Sequence, residues 1–149
     1  MSKIKVLFIC HGNICRSPMA EFIMKKLVKD HGIEDQFIIE SAATSTEEIG
    51  HDMYPPAKRK LTEKGIPFSK RHARQVRFDE YETWDYILGM DRWNLQNLKR
   101  IFYNDKAEKV HSLLQNKDVA DPWYTDDFET AYRDIEKGCK EWLERILHD

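Results

Sequence analysis

The sequence predicts an α/β fold in which helices cover both faces of one parallel sheet. Two observations support this fold class. Strand-like apolar segments alternate with helix-like segments along the chain, and the first strand-like segment ends in a purely apolar run. The chain of 149 residues is long enough to bury a sizeable core, and no linker, repeat or low-complexity segment divides it. We therefore expect a single domain over residues 1–149.

The first part of the chain is predicted to run strand, helix, strand. Lys3–Ile9 ends in four consecutive apolar residues, which is typical of a strand buried in a parallel sheet. A helix opens near Pro18, because proline is tolerated in a first helical turn, and Gly32 is its expected end. Gln36–Ser41 is predicted as the second strand, and the irregular stretch 42–56 as a surface loop.

The second part of the chain repeats this alternation. A short helix at Ala57–Lys64 precedes a third strand at Trp84–Met90. Asp91 is suited to cap the next helix, and Ala107–Leu113 is a short, weak fourth strand. The apolar residues of the last helix recur at three- and four-residue spacing, so they form one stripe. This stripe comprises Phe128, Ala131, Ile135, Cys139, Trp142 and Ile146.

Composition excludes several classes of protein. Lys plus Arg is 24 and Asp plus Glu is 26, and this net charge of −2 argues against a nucleic-acid partner. No segment approaches the roughly 20 apolar residues of a membrane span, and the apolar N-terminal run is too short for a secretory signal. Three cysteines, an odd number, fit a reducing compartment better than a disulfide framework. We expect a cytoplasmic protein with no membrane partner.

The stretch CHGNICRS at residues 10–17 is predicted to form a phosphate-binding loop. It joins the first strand to the first helix, at the edge where open parallel sheets bind ligands. Backbone N–H groups of such a loop and of the helix N-terminus can surround an anion. Gly12 and Asn13 tolerate the backbone angles that this requires. The Arg16 guanidinium can hold two phosphate oxygens.

Cys10 is the candidate nucleophile, because the positive field of the loop favours its thiolate. Ser17 is placed to donate a hydrogen bond to this sulfur, and a thiolate beneath an oxyanion cradle is suited to attack phosphorus. A metal site and a purely structural cysteine are the alternatives. Metal sites usually have closer cysteine pairs and further ligands, whereas the six histidines of this chain are scattered. We expect neither a metal nor another cofactor.

These motifs resemble those of the low-molecular-weight protein tyrosine phosphatase family over nearly the whole chain. The resemblance starts at VLFICHGNICRSPMAE and continues through SAATS, RHARQ, MDRWNLQNL and DPWYTDDFETAY, in that order. It implies a flavodoxin-like three-layer sandwich with a four-stranded parallel sheet in the order 2-1-3-4. It also implies hydrolysis of phosphotyrosine proteins or small aryl phosphates, and inhibition by phosphate-like oxyanions. The phosphate loop would comprise His11, Gly12, Asn13, Ile14, Cys15, Arg16 and Ser17.

Asp121 is the candidate general acid and base. From the residues alone it is equally well a capping or turn residue, although the following proline suits presentation from a loop. The resemblance favours the catalytic role: Cys10 would attack, Asp121 would protonate the leaving oxygen, and a thiophosphate would then be hydrolysed. Trp123 and Tyr124 are as compatible with a core as with a site. By resemblance they form a wall of the substrate pocket.

Two positions bear on substrate preference. Glu47 lies near the place where many family members carry a tryptophan, so we expect an acidic pocket wall that disfavours acidic phosphopeptides. Ile14 occupies the position at which phosphoarginine-hydrolysing relatives carry threonine, and an isoleucine there favours phosphotyrosine. Ile14 is also compatible with simple packing under the loop.

Three further residues are expected to support the loop or protect it. In the family, the histidine of an H-x-A-R-Q pattern hydrogen-bonds the loop asparagine, so His72 is expected to bond Asn13. Ser41 is expected to support the same loop. Cys15 either packs under the loop or traps oxidised Cys10, and the resemblance favours a reversible disulfide between them.

Three alternative functions remain open. A protein-arginine phosphatase and an arsenate reductase share this fold and loop. Arsenate reduction needs relay cysteines in the middle of the chain, and there are none between Cys15 and Cys139. A non-catalytic phosphoprotein-binding module would keep Arg16 but would need neither Cys10 nor Asp121.

Overall fold

Four parallel strands form the sheet, in the spatial order β2-β1-β3-β4. The structure is a computed structural model, and it describes residues 2–149. The strands are β1 at Ile4–Cys10, β2 at Phe37–Ala43, β3 at Tyr86–Gly89 and β4 at Val110–Ser112. This topology confirms the predicted fold class and the strand order implied by the family resemblance.

Helices cover both faces of this sheet. They are α1 at Arg16–Asp30, α2 at Pro55–Glu63, α3 at Arg92–Ile101, α4 at Pro122–Thr125 and α5 at Phe128–Leu147. Two short 3-10 helices lie at Glu34–Gln36 and Phe78–Thr83. Helices α1, α2 and α5 share one hydrophobic core with the sheet, and α3 packs in a second core on the other face. No helix within residues 2–149 is both long and apolar enough to cross a bilayer.

Strand β1 is the centre of the fold because its side chains alternate between the two cores. Val6 and Phe8 lie in the core of α1 and α5, whereas Leu7 and Ile9 lie in the core of α3. All four side chains are fully buried. The packing on both faces therefore fixes the position of Cys10 at the carboxyl end of the strand.

Several element boundaries differ from the prediction by one to three residues, and the largest of these differences has a local cause. Helix α1 begins at Arg16 rather than at Pro18, with Cys15 at its N-cap. Strand β4 is shorter than 107–113, because Asp105 accepts hydrogen bonds from the N–H groups of Lys109 (2.8 Å) and Val110 (3.1 Å). A turn therefore occupies the first half of the predicted strand.

Gly138 allows α5 to approach the end of β4 closely. A Cβ atom at this position would lie 2.5 Å from Cγ of Leu113, whose side chain is buried. One helical turn further on, the indole N–H of Trp142 donates to the carbonyl of Leu113 at 3.0 Å. Helix and strand end are thus held together at a spacing that only glycine fits.

We expect Gly138→Ala to lower the free energy of unfolding by about 1–3 kcal/mol, because overpacking against Leu113 outweighs the better helix propensity of alanine. Urea unfolding followed by circular dichroism measures this change. Lys137→Ala, at the exposed neighbouring position, is the control and should change stability by less than about 0.5 kcal/mol. A Gly138→Ala variant as stable as the wild type would contradict this account of the contact.

Candidate active site

The sulfur of Cys10 lies at the centre of the loop between β1 and α1. The N–H groups of Asn13 and Ser17 point at it from 3.3 and 3.4 Å, and the Ser17 hydroxyl oxygen is 3.0 Å away. Cys10 is buried, with 3% of its surface exposed. A sulfur surrounded by donors in this way is stabilised as an anion.

The loop has the backbone geometry of an anion nest. Asn13 adopts a left-handed conformation with φ of 59°, as its residue type permits. Among residues 2–149, the N–H groups of Gly12, Ile14 and Cys15 have no hydrogen-bond acceptor. The first N–H groups of α1 lie directly behind them, since the side chain of the N-cap residue Cys15 accepts from none of them and the Ser17 N–H points at Cys10. Together these donors form a site for a phosphate-sized anion.

Arg16 is held at the loop by two carboxylates and a carbonyl. Its Nη2 donates to Asp91 at 2.8 Å and to Asp121 at 3.3 Å, and its Nη1 donates to the carbonyl of Val119 at 3.0 Å. Burial alone would lower the pKa of the guanidinium, but the charges of Cys10, Asp121 and Asp91 outweigh it and raise that pKa. Arg16 therefore stays charged although it is almost completely buried.

Asp91 is a site residue that sequence reasoning missed. It was predicted only as a helix cap, and it does cap α3 by accepting from the Asn94 N–H at 2.9 Å. Its second carboxylate oxygen binds Arg16. A signal was present, because Asp91 follows β3, and β3 is the neighbour of β1 in the parallel sheet. Carboxyl ends of adjacent parallel strands lie at the same edge.

Asp121 reaches the loop from the turn before α4. One of its carboxylate oxygens caps this helix by accepting from the Trp123 N–H at 3.1 Å, and the other accepts from Arg16. The sequence did not predict α4, a single turn that ends at Asp126 in a left-handed conformation with φ of 58°. Asp121 therefore caps a helix and also faces the loop.

A cleft of about 760 Å³ opens above the loop. Aromatic side chains line it, and they remain largely exposed: 53% for Trp123, 84% for Tyr124 and 66% for Trp93. Tyr54 supports Trp123, with ring centroids 5.0 Å apart. Trp93 was not predicted, although it follows Asp91 by two positions at the start of α3. The cleft is suited to a flat ring that carries an anionic group.

The opposite side of the cleft is acidic. Glu47 lies on this wall, and its Oε2 is 3.0 Å from Nε2 of His11. Glu48 lines the cleft as well, and its Cγ would touch a Cβ atom at Gly12 from 3.3 Å. A Cβ atom at Gly12 would therefore require the Glu48 side chain to shift by a few tenths of an ångström.

A buried hydrogen-bond chain supports the loop from behind. The Asn13 side-chain amide donates to the hydroxyl oxygens of Ser17 (2.8 Å) and Ser41 (2.9 Å). The Ser41 hydroxyl in turn donates to Glu21 at 2.6 Å. Ser41 lies within β2 and contacts the loop as expected. Glu21 was not predicted, and its position one turn into α1 gave no clear signal.

The expected hydrogen bond between His72 and Asn13 is wrong. His72 is exposed, and its Nδ1 lies 2.9 Å from the carbonyl of Gly50. The Asn13 oxygen instead accepts from Nη2 of Arg71 at 2.5 Å and from the backbone N–H of Arg74 at 3.3 Å.

The sequence contained the reason for this difference. The H-x-A-R-Q pattern leaves one residue between histidine and alanine, whereas His72 directly precedes Ala73. Residue 71 therefore occupies the supporting position. Hydrogen bonds on both sides of this segment, from Gly50 to Ala73 (2.8 Å) and from Ala43 to Arg74 (2.8 Å), fix its register. Neighbouring side chains in such a paired segment point to opposite sides.

Cys15 and Ile14 form the buried side of the loop. Burial, together with the charges of Cys10 and Asp121, raises the pKa of the Cys15 thiol far above its ordinary value. Cys15 thus lies beside Cys10 as a neutral thiol, and both line the cleft. The carbonyl of Ile14 accepts from the Tyr54 N–H at 2.8 Å, which joins the loop to the start of α2.

Comparison with known proteins places this geometry in a family. The family model described as low molecular weight phosphotyrosine protein phosphatase matches residues 5–149. A Gallus gallus protein of the same name is 45% identical, over 94% of each chain. YfkJ from Bacillus subtilis has a similar structure, with a TM-score of 0.94 and 34% sequence identity. The match covers 99% of this chain and 97% of the YfkJ chain. SP-PTP from Streptococcus pyogenes, a low molecular weight protein tyrosine phosphatase, is also similar, with a TM-score of 0.88 and 40% identity. The match covers 95% of this chain and 92% of SP-PTP. The chain therefore belongs to the low molecular weight phosphotyrosine protein phosphatase family.

Proposed function

We propose that this protein hydrolyses phosphotyrosine and small aryl phosphates through a phosphocysteine intermediate on Cys10. One observation carries the proposal. The Cys10 sulfur, ringed by donors at 3.0–3.4 Å, lies in the same cleft as Arg16, which Asp121 approaches to 3.3 Å. A nucleophile, an anion-binding group and a proton donor are thus together in one cleft.

In the first step, the Cys10 thiolate attacks phosphorus while the bond from phosphorus to the phenolic oxygen breaks. The free loop N–H groups and Arg16 hold the equatorial phosphoryl oxygens, where charge develops. Asp121, in its protonated form, gives its proton to the leaving oxygen. The products of this step are the free phenol and a phosphorylated Cys10.

In the second step, water replaces the sulfur. The Asp121 carboxylate takes a proton from the water as its oxygen bonds to phosphorus, and the bond from phosphorus to sulfur breaks. Inorganic phosphate leaves and the Cys10 thiolate is restored. The Ser17 hydroxyl, 3.0 Å from the sulfur, stabilises the departing thiolate.

The cleft supports an aromatic substrate. Trp123, Tyr124 and Trp93 offer exposed ring surfaces beside the phosphate loop, and a phenyl ring can stack against them. The names of the relatives point to the same substrate class. Ile14 supplies no hydroxyl that would activate water for phosphoarginine hydrolysis. Phosphate-like oxyanions should compete for the loop, because they match its donors.

We expect Asp121→Asn to lower kcat by about 100-fold or more for phenyl phosphate, whose leaving group needs a proton. With p-nitrophenyl phosphate, whose leaving group is stable as an anion, the rate constant of the first step should fall much less. Asparagine keeps the oxygen that caps α4 but loses the one that accepts from Arg16, which retains its bonds to Asp91 and to the carbonyl of Val119. Single-turnover kinetics with a series of aryl phosphates measures the effect.

The control for this series is Asp35→Asn, an exposed aspartate distant from the loop in sequence, which should behave as the wild type. Cys10→Ser should show no turnover with any substrate. An equal loss across all leaving groups would remove Asp121 from the role of acid. An active Cys10→Ser variant would overturn the mechanism.

We also propose that Cys15 protects Cys10 from irreversible oxidation. Peroxide converts the Cys10 thiolate to a sulfenic acid, and the neighbouring Cys15 thiol attacks that sulfur to form a disulfide and water. Wild-type enzyme inactivated by mild peroxide should therefore recover with dithiothreitol, whereas Cys15→Ala should recover several-fold less. Activity measured before and after thiol treatment tests this.

Cys139→Ala is the matched control, because Cys139 is a cysteine buried in the core outside the cleft. It should recover as fully as the wild type. Identical recovery of the Cys15→Ala variant would rule out the protective role of Cys15.

A further inference from the structure

Arg71 contacts the phosphate loop through Asn13, and no role follows for it from the reaction described above. Its Nη2 donates to the Asn13 Oδ1 at 2.5 Å. Arg71 itself is half-buried and held in place, because its backbone N–H donates to Asp52 at 3.3 Å. The guanidinium thus lies on the side of the loop away from the substrate cleft, whose lining does not include it.

The chemistry of the guanidinium determines the direction of the hydrogen bonds. A guanidinium has donors only, so the Asn13 side chain must present its oxygen to Arg71. The Asn13 NH₂ group must then face the hydroxyl oxygens of Ser17 and Ser41, as is observed at 2.8 and 2.9 Å. The backbone N–H of Arg74, 3.3 Å from the same oxygen, favours the same orientation over a longer distance, so Arg71 is the closer of two donors that set it.

The orientation continues to the nucleophile. Because the Ser17 oxygen accepts from Asn13, its proton is free to point at the Cys10 sulfur 3.0 Å away. The Ser41 oxygen likewise accepts from Asn13, and its proton goes to Glu21. Arg71 therefore stands at the start of a directional chain that ends in a hydrogen bond donated to the thiolate.

We propose that Arg71 is a positioning residue of this enzyme. By donating to Asn13 it sets the direction of the hydrogen bonds that stabilise the Cys10 thiolate, and its permanent charge makes this setting independent of pH near neutrality. The inference rests on the proposed function, since it deepens the account of the same nucleophile. A histidine at this position would instead lose its second donor when it loses its proton.

The charged neighbours of Arg71 support a fixed positive charge at this place. Burial lowers the pKa of Arg71, and the negative charges of Glu21 on α1, Cys10 on β1 and Asp52 in the loop before α2 counteract this. Asp52 is itself paired with Lys58 at 2.6 Å. The guanidinium thus keeps its proton throughout the range in which the enzyme would work.

The test compares Arg71→Met, Arg71→Lys and Arg71→His with the wild type. The first measurement is the rate at which iodoacetamide alkylates Cys10 between pH 5 and pH 9. The rate assigned to Cys10 is the part of the alkylation that inorganic phosphate suppresses. This measurement needs no turnover. For Arg71→Met we expect the midpoint of this profile to move up by about one pH unit, and kcat/KM at pH 6 to fall about tenfold.

The other variants separate positioning from packing. Arg71→Lys keeps a charged donor and should recover most of the wild-type profile. Arg71→His should add one ionisation near neutral pH, above which the alkylation rate and kcat fall relative to Arg71→Lys. Arg77→Met is the matched control, because Arg77 is an exposed arginine whose side chain pairs with Asp79 within residues 2–149, and it should match the wild type.

Several results would overturn the proposal. One is an unchanged alkylation profile in a folded Arg71→Met variant. Another is an equal loss in Arg71→Met and Arg71→Lys, which would show that Arg71 acts by packing. If Arg71→Met does not fold, as judged by thermal melting, the comparison of Arg71→His with Arg71→Lys decides, and identical pH profiles would reject the proposal. A wild type that is alkylated as expected but hydrolyses no aryl phosphate would refute the proposed function alone.

Discussion

The rest of the structure depends on one constraint, which is that a buried sulfur anion needs donors on every side. Removing an unpaired charge from water is costly, so the thiolate that the proposed mechanism assigns to Cys10 needs N–H and O–H groups that converge on it. The loop supplies the Asn13 and Ser17 N–H groups and the Ser17 hydroxyl. These same donors, with the free N–H groups around them, match a transferring phosphoryl group. In the proposed mechanism, one backbone conformation therefore both stabilises the nucleophile and binds the substrate.

That conformation is held from several elements at once. Strand β1, packed on both faces, fixes one end of the loop, and α1 fixes the other. Asn13 is left-handed and is kept so by contacts from β2 and from the segment at residues 71–74. Asp91 and Asp121 reach Arg16 from the ends of β3 and the turn before α4. Because the sheet is parallel, all of these groups meet at its carboxyl edge.

Sequence reasoning located what is local and periodic, and it missed what depends on orientation. The apolar run before Cys10, the stripe of α5 and the spacing from Cys10 to Arg16 identified the sheet, the core and the loop. The spacing of the H-x-A-R-Q pattern pointed to residue 71 rather than 72 as the residue that faces the loop, whereas periodicity does not report register within an irregular segment. Asp91 and Trp93 were likewise visible as residues, but their direction into the cleft follows from the packing of α3 against the sheet.

The central claim is that phosphate passes through a covalent bond to Cys10. The most direct measurement is rapid acid quenching of the Asp121→Asn variant during reaction with p-nitrophenyl phosphate, followed by tandem mass spectrometry of the loop peptide. Attack needs no proton donor for this leaving group, whereas hydrolysis needs the missing base, so the intermediate should accumulate. The account predicts one phosphoryl group on the Cys10 sulfur, formed in a burst with nitrophenol. Nitrophenol release without a protein-bound phosphoryl group, or a phosphoryl group on another residue, would contradict it.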